Sequence, residues 1–437
     1  MSTPALSTRG TKSSVNYHKD YAIWDIISNL WHPESNPDGY VSLDLAENAL
    51  MHEELRDFLN SKKLVDPQAA GFTYGSGPYG SKNVRAAIAS FVNHHFEPAK
   101  KLLPDQIFVA NGVTAAIEHC SWGLANPGDG ILLGRPYYRA FLHDISSRTD
   151  VNVVPVAFGD VDPCGIDCVS EYEKTLLISR DEGIPIRALM LCHPHNPLGR
   201  CYSRDTLIAL LRLCQTYKIH LISDEIYALT IWKNTVDKTG PAPVPFESVL
   251  FIDPSDIIDP SLVHVLWGIS KDFGANGLRL GAIVSPANPA FIQACRASGL
   301  FSAPSSLVEN AVVQILSDAA YVKSYIRLNK KRLSAAYTHA ITELRKHGIE
   351  HVPGVNAAFF VWINLGTLFK INIAGSTSQD HDVGITARVR ERLMAKKVYL
   401  VDGDAAGAEQ PGWFRLVFTQ PAELVSEAIG RIAAALK

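Results

Sequence analysis

The chain has 437 residues, 47% hydrophobic and 19% charged, an ordinary balance for a folded protein and more chain than one hydrophobic core usually organises. With 41 basic and 44 acidic residues the formal net charge is −3, which leaves no basic field to hold a nucleic acid or an anionic membrane. Seven cysteines, an odd number with no CxxC pair, argue against a disulfide framework or a zinc site and for buried reduced thiols. The N-terminal segment MSTPALSTRGTKSSVNYHKDY is polar and lacks an apolar leader core. No stretch approaches the roughly 18 apolar residues that span a bilayer. The expected compartment is the cytoplasm.

Taken in chain order, short apolar, β-rich runs alternate with longer segments of helical period. The runs are Ile107 to Ala110, Ile131 to Gly134, Val151 to Phe158, Ile186 to Pro194, His220 to Asp224, Leu262 to Gly268 and Leu278 to Ser285. Apolar on both faces and separated by helices, they predict a mostly parallel seven-stranded sheet flanked by helices, an α/β architecture. The PAPVPF stretch after Gly240 reads as a surface loop. After about Tyr321 the character changes: a long amphipathic helix stopped by Gly348, then AAFFVWINL, a polar GSTSQDHD loop, a helix near ITARVRERLMAKK, VYLV and WFRLVF. This predicts a smaller α+β domain. The division expected is 1–54 as an N-terminal arm and part of the small domain, 55–320 as the large domain and 321–437 as the C-terminal small domain.

Ligands of α/β sheets bind beyond the carboxyl ends of the strands, and the loops there hold an unusual set of polar residues. Strand 107–110 runs into NGVTAAIEHC, where Gly112 permits a tight turn and Thr114 opens a helix whose free N–H groups suit a phosphate; an N-cap accounts for Thr114 as well. Asp224 closes a fully apolar strand, with Tyr227 three residues on, and a carboxylate there needs a partner, which an ion pair or a helix cap would also supply. In WGISKDFGANGLRLG, Lys271 follows an apolar strand, preceded by Ser270 and followed eight residues later by Arg279. Such a lysine, if desolvated, acts as a neutral nucleophile or base, and such an arginine suits bidentate phosphate binding.

The ordered segments NPDGYVSLDLAEN, YGSGPYG, VRAAIASF, NGVTAA, PYY, HNPLGR, SDEIY, SKDFG, LRLG and EQPGWFR, spread from about Asn36 to Thr419, resemble the class I/II aminotransferase superfamily. This is the fold-type I group of pyridoxal-5′-phosphate (PLP) enzymes. SDEIY and SKDFG carry the likeness to the superfamily, and LAEN and PGWFR carry the likeness to its 1-aminocyclopropane-1-carboxylate (ACC) synthase-like branch. The resemblance implies a fold-type I transferase fold, PLP as cofactor, no metal, and catalytic roles for Lys271, Asp224 and Tyr227. Lys271 would hold the cofactor as a Schiff base and shuttle the substrate Cα proton. Asp224 would face the pyridine nitrogen, and Asn196 and Tyr227 would hydrogen-bond the ring's phenolic oxygen. Tyr138 would stack on the ring. The N–H groups of Val113 and Thr114, with Ser270 and Arg279, would hold the phosphate. Tyr79 would reach the phosphate of a neighbouring subunit, which implies a homodimer with composite sites. Arg415 would bind the substrate α-carboxylate.

Some positions depart from the family pattern. Gly268 stands where many relatives carry a hydroxyl three residues before the lysine, so one phosphate hydrogen bond is missing. His193 and His195 replace smaller polar residues; solvated loop positions are expected for them, with a place facing the site as the alternative. SGPYGS differs from the usual DYHGL-type wording beside Tyr79. Glu47, in LAEN, is the residue expected to discriminate between reactions, because a carboxylate near the substrate side chain attracts a sulfonium cation; a charge at a helix start beside Asn48 is the alternative. The reaction expected is ACC synthase-type elimination and cyclisation on S-adenosylmethionine (SAM), with a β-eliminating C–S lyase or an aminotransferase as alternatives. A ligand-sensing module fused to a DNA-binding domain would need more chain before NPDGY than the roughly 35 residues available and a basic stripe.

Overall fold

The computed structural model describes residues 6–21, 23–65, 72–374 and 384–437. β1 (Val41–Ser42) is followed by the seven strands of the central sheet: β2 (Ile107–Ala110), β3 (Gly130–Gly134), β4 (Asn152–Val156), β5 (Ile186–Cys192), β6 (His220–Asp224), β7 (Val263–Gly268) and β8 (Gly281–Val284). Their order is β2-β8-β7-β6-β5-β3-β4, and only β8 runs antiparallel to its neighbours. All seven expected strands are present and the sheet is mostly parallel, as the two-sided apolar runs require. Ile131 and Leu133 point into one core and Leu132 into the other, so adjacent residues of one strand feed opposite faces. β4 is one of the two edge strands, β2 the other. β4 is partly exposed and carries Pro155, a residue that cannot donate to a ladder.

The helices on the faces start and stop where their chemistry directs. Helix Arg204–Tyr217 begins at Ser203, whose Oγ accepts from the Thr206 N–H at 3.2 Å, and closes on Lys218 in the left-handed region, φ 55°. The long helix Ala319–Lys346 starts on Asp318, which accepts from the Tyr321 N–H at 3.0 Å, and stops before Gly348 at φ 66°. No helix among the described residues is long and apolar enough to cross a membrane.

The C-terminal part holds β9 (Glu350–His351), β10 (Phe360–Asn364), β11 (Val398–Tyr399), β12 (Val401–Asp402) and β13 (Trp413–Val417). A four-stranded sheet runs β12-β13-β10-β9, while β11 pairs in parallel with β1. That pairing stitches the N-terminal segment onto the C-terminal α+β unit, with Val41 opposite Val398. It carries the following residues, Leu43 to Asn48, across the carboxyl ends of the central strands. The GSTSQDHD loop lies outside the described residues.

Candidate active site

The first expectation concerns the start of helix Val113–Leu124. Its N-cap is Gly112 at φ 102°, so the helix opens one residue before Thr114, and Thr114 is not the cap. A helix's first N–H groups have no intrahelical acceptor. The Arg279 guanidinium lies over this turn: a Cβ on Gly112 would sit 2.5 Å from Arg279 Nη2. Gly281, two residues after Arg279, is as tightly placed, since its Cβ would meet the Val113 nitrogen at 2.6 Å. Arg279 is exposed, adopts φ 53° and donates from Nη1 to the Asn276 carbonyl at 2.9 Å. Ser270 is buried nearby, just past the end of β7. Gly268 has no space for a hydroxyl-bearing side chain: its Cβ would approach the Leu280 carbonyl to 2.7 Å and Gly281 Cα to 3.0 Å.

Lys271 stands in the one-turn helix Ile269–Asp272 that follows β7. Half-buried, it donates from Nζ to the Ala46 carbonyl of LAEN at 2.6 Å, so the lysine is not a surface residue. Burial, then the Arg415 guanidinium, pulls its amine down to about 8, against the opposing pull of Glu47. The turn is pinned by its neighbour Asp272, which accepts from Trp267 Nε1 and from the Leu229 N–H, each at 2.9 Å.

Asp224 ends β6 as expected, 4% exposed. Its Oδ1 accepts from the Ile226 N–H at 3.2 Å, and it joins no ion pair among the described residues. Burial pushes its carboxyl up to about 7. Tyr227 is buried edge-on against Phe359 and Phe360. Tyr138 meets Phe141 edge-on at 5.3 Å, and burial raises its phenol to about 12.

Arg415, in β13 opposite Trp362 of β10, is 4% exposed. Nη1 donates to Asn196 Oδ1 at 3.0 Å and Nη2 to the Asp44 carbonyl at 2.5 Å, leaving Nε buried with no partner among the described residues. Nε and the second hydrogen of Nη2 remain for gripping a carboxylate side-on. Glu47 is half-buried with Oε1 accepting from Asn276 Nδ2 at 2.8 Å; it also stands directly before Asn48, the N-cap of the turn Ala49–Met51, so a charge at a helix start describes it as well. Tyr79 lies apart from these residues. Its ring is sandwiched by Arg296 at 4.7 Å and Arg85 at 5.3 Å, whereas Tyr74 on the same loop is 91% exposed.

His193 and His195 correct an expectation. They are not solvated: both are buried, at 0% and 3% exposure, and their rings serve the backbone. His193 bonds the Glu247 carbonyl through Nε2 at 2.9 Å and accepts from the Tyr202 N–H at 3.3 Å, while His195 accepts from the Leu198 N–H at 3.4 Å. Burial lowers them to about 4 and about 3, so both are neutral. Sequence reasoning also passed over Asp44 and Arg139, which pair across the site at 2.9 Å, and Asp272. Asp44 lies in the segment LDLAEN, where its one sequence signal is a carboxylate flanked by leucines.

These residues fit PLP. A glycine cradle under an arginine at a helix start receives a phosphate. A desolvated amine receives an aldehyde, and a buried carboxylate without a cation receives a protonated ring nitrogen. Among the described residues no cluster of His, Cys, Asp and Glu could hold a metal ion.

The fold and this set of residues define a fold-type I PLP-dependent enzyme. Solved structures agree on the fold: a double mutant of Thermus thermophilus aspartate aminotransferase superposes with a TM-score of 0.73 at 19% identity, covering 99% of this chain and all of that one. The model of the family "Aminotransferase class I and II" matches residues 42–432, and the chain belongs to that family, whose cofactor is PLP. Among its relatives, "1-aminocyclopropane-1-carboxylate synthase 7" of Arabidopsis thaliana is 31% identical, covering 94% of this chain and 90% of that protein. "Probable aminotransferase sirI" of Leptosphaeria maculans is 31% identical, covering 94% of each. "Probable inactive 1-aminocyclopropane-1-carboxylate synthase-like protein 2" of Mus musculus is 28% identical, covering 95% of this chain and 69% of that protein. The chain thus sits in the ACC synthase-like branch of the superfamily.

Proposed function

We propose that the protein converts SAM to ACC and methylthioadenosine, with Lys271 as attachment point and base. Bound PLP supplies an electron sink that makes the substrate's Cα–H bond acidic. Arg415 grips the α-carboxylate through Nε and Nη2 and so fixes which substituent of Cα faces Lys271 Nζ. Lys271, its amine lowered to about 8, takes the Cα proton and keeps it, because in ACC that position is filled by the new bond from Cα to Cγ, which forms as the Cγ–S bond to methylthioadenosine breaks. Asp224 holds a proton at the ring nitrogen, Asn196 and Tyr227 address the phenolic oxygen, and Tyr138 covers the ring. Val113, Thr114, Ser270 and Arg279 hold the phosphate.

The observation that carries the cyclisation reading is the place of Glu47. Its carboxylate, held by Asn276, stands one residue from the carbonyl that takes the Lys271 amine, where a sulfonium on the substrate side chain would be attracted. Residues 55–320 would form the cofactor-binding domain, with 1–54 and 321–437 as the smaller one, in a cytoplasmic homodimer with composite sites. Tyr79 is our assignment for the residue that reaches the partner's phosphate; the exposed Tyr74 competes for that role, and single Tyr→Phe changes measured by cofactor affinity decide between them.

Incubation of the purified protein with SAM tests the reading: ACC with methylthioadenosine is expected, and Glu47→Gln lowers kcat/KM for SAM about tenfold or more. Pyruvate, ammonia and a thiol released from cysteine thioethers would replace it with a C–S lyase. A 2-oxo acid formed only with an acceptor would replace it with an aminotransferase.

A further inference from the structure

Asp44 plays no part in the reading above, yet it touches the substrate-binding arginine. Its carbonyl accepts from Arg415 Nη2 at 2.5 Å, and its Oδ2 accepts from Arg139 Nη2 at 2.9 Å. The side chain is 1% exposed, and its other oxygen, Oδ1, is buried with no hydrogen-bond partner among the described residues. Arg139, directly after Tyr138 in the chain, also meets the Tyr399 hydroxyl. The β1–β11 pairing brings Tyr399 alongside, with the Leu43 N–H on the Tyr399 carbonyl at 3.0 Å. Asp402, the other acid felt by Asp44, is engaged by Arg390 at 3.0 Å.

Two guanidinium groups therefore converge on this end of the site with one carboxylate between them. Among these three groups the surplus is a single positive charge, taken up by the substrate α-carboxylate, while Glu47 lies toward the substrate side chain. We propose that Asp44 restricts the enzyme to amino acids with one carboxylate: it neutralises Arg139, and its free Oδ1 repels a second acidic group. Removing the charge of Asp44 leaves Arg139 without its counter-charge and turns the site toward dicarboxylic amino acids. This rests on Arg415 binding the α-carboxylate.

The test is equilibrium binding of L-glutamate and L-glutamine, which differ only in the distal charge, measured by calorimetry on the PLP-loaded protein at about pH 8, where carboxylates are ionised. The wild type binds glutamine more tightly. Asp44→Asn shifts the affinity ratio toward glutamate by about tenfold or more, and the double change Asp44→Asn with Arg139→Leu abolishes that gain. Asp44→Ser, which also removes the charge, shifts the ratio in the same direction and covers the case in which asparagine packs badly. An unchanged ratio in both Asp44 variants, or a gain that survives loss of Arg139, overturns the proposal while a loss of both affinities in Arg415→Leu keeps the parent reading. If Arg415→Leu leaves both affinities intact, the parent reading falls and the proposal falls with it.

Discussion

At the scale of single residues, two positions show how little freedom the site leaves. Gly268 lies against the Leu280 carbonyl and Gly281 Cα, so the missing hydroxyl is a consequence of packing between β7 and β8. Gly268→Ser is expected to lower stability by about 1–3 kcal/mol and to leave phosphate affinity no tighter, checked by thermal melts and PLP titration. Lys271 shows the same economy in electrostatics, since a lysine at its ordinary pKa would be almost wholly protonated at neutral pH. With burial and Arg415 lowering it to about 8, the neutral amine grows as pH rises and levels off above that value. Attachment of PLP to the apo protein should follow that curve in a stopped-flow absorbance series. A rate already flat at pH values well below 8 would show that the amine is neutral for another reason.

Among elements, the clearest tie binds the long helix Ala319–Lys346 to the loop after Tyr227. Asp237 Oδ2 accepts from Tyr337 at 2.6 Å, from Asn234 at 2.7 Å and from the Gly354 N–H at 3.1 Å, and its Oδ1 accepts from His351 at 3.0 Å. Although burial opposes it, these hydrogen bonds, His351 and Tyr337 first, hold the carboxyl well below its usual range. Asp237→Asn should cost about 2–4 kcal/mol of stability in urea denaturation. PLP content per folded molecule should stay the same, because no site residue bonds Asp237. The turn carrying Lys271 depends in the same way on Asp272, a residue whose importance lies in two bonds to distant segments.

Over the whole molecule, buried neutral histidines set the acid limit. His119 and His193 are lowered to about 4, His195 to about 3, and His264 falls well below its ordinary value, in each case by burial first. Unfolded histidines take protons below about 6.5. The folded ones refuse them until much lower pH, so the unfolded state binds more protons and stability falls as pH drops below about 6.5. At pH 5 each such histidine costs about 2 kcal/mol, so urea midpoints should fall steeply between about pH 7 and 5. Midpoints that stay level over that interval would mean that these rings open to water before the chain unfolds.

How much was legible followed from where each property resides. Two-sided apolar runs belong to the chain itself, so all seven central strands, the long helix and the strand-end positions of Asp224 and Lys271 could be read directly from the sequence. The family motifs carried Asn196, Arg279 and Arg415, because their residue types and spacing are local. Burial of His193 and His195, the Gly112 cap, the engagement of Tyr79 by Arg85 and Arg296, and the Asp44–Arg139 pair were not legible. Each depends on which segment another element brings alongside, as when the β1–β11 pairing lays the LAEN segment over Lys271 and beside Arg415. The amino-acid order by itself determined the elements and the inventory of chemistry; only the tertiary structure decided which charges meet, because contact and desolvation are properties of segments brought together from far apart in the chain.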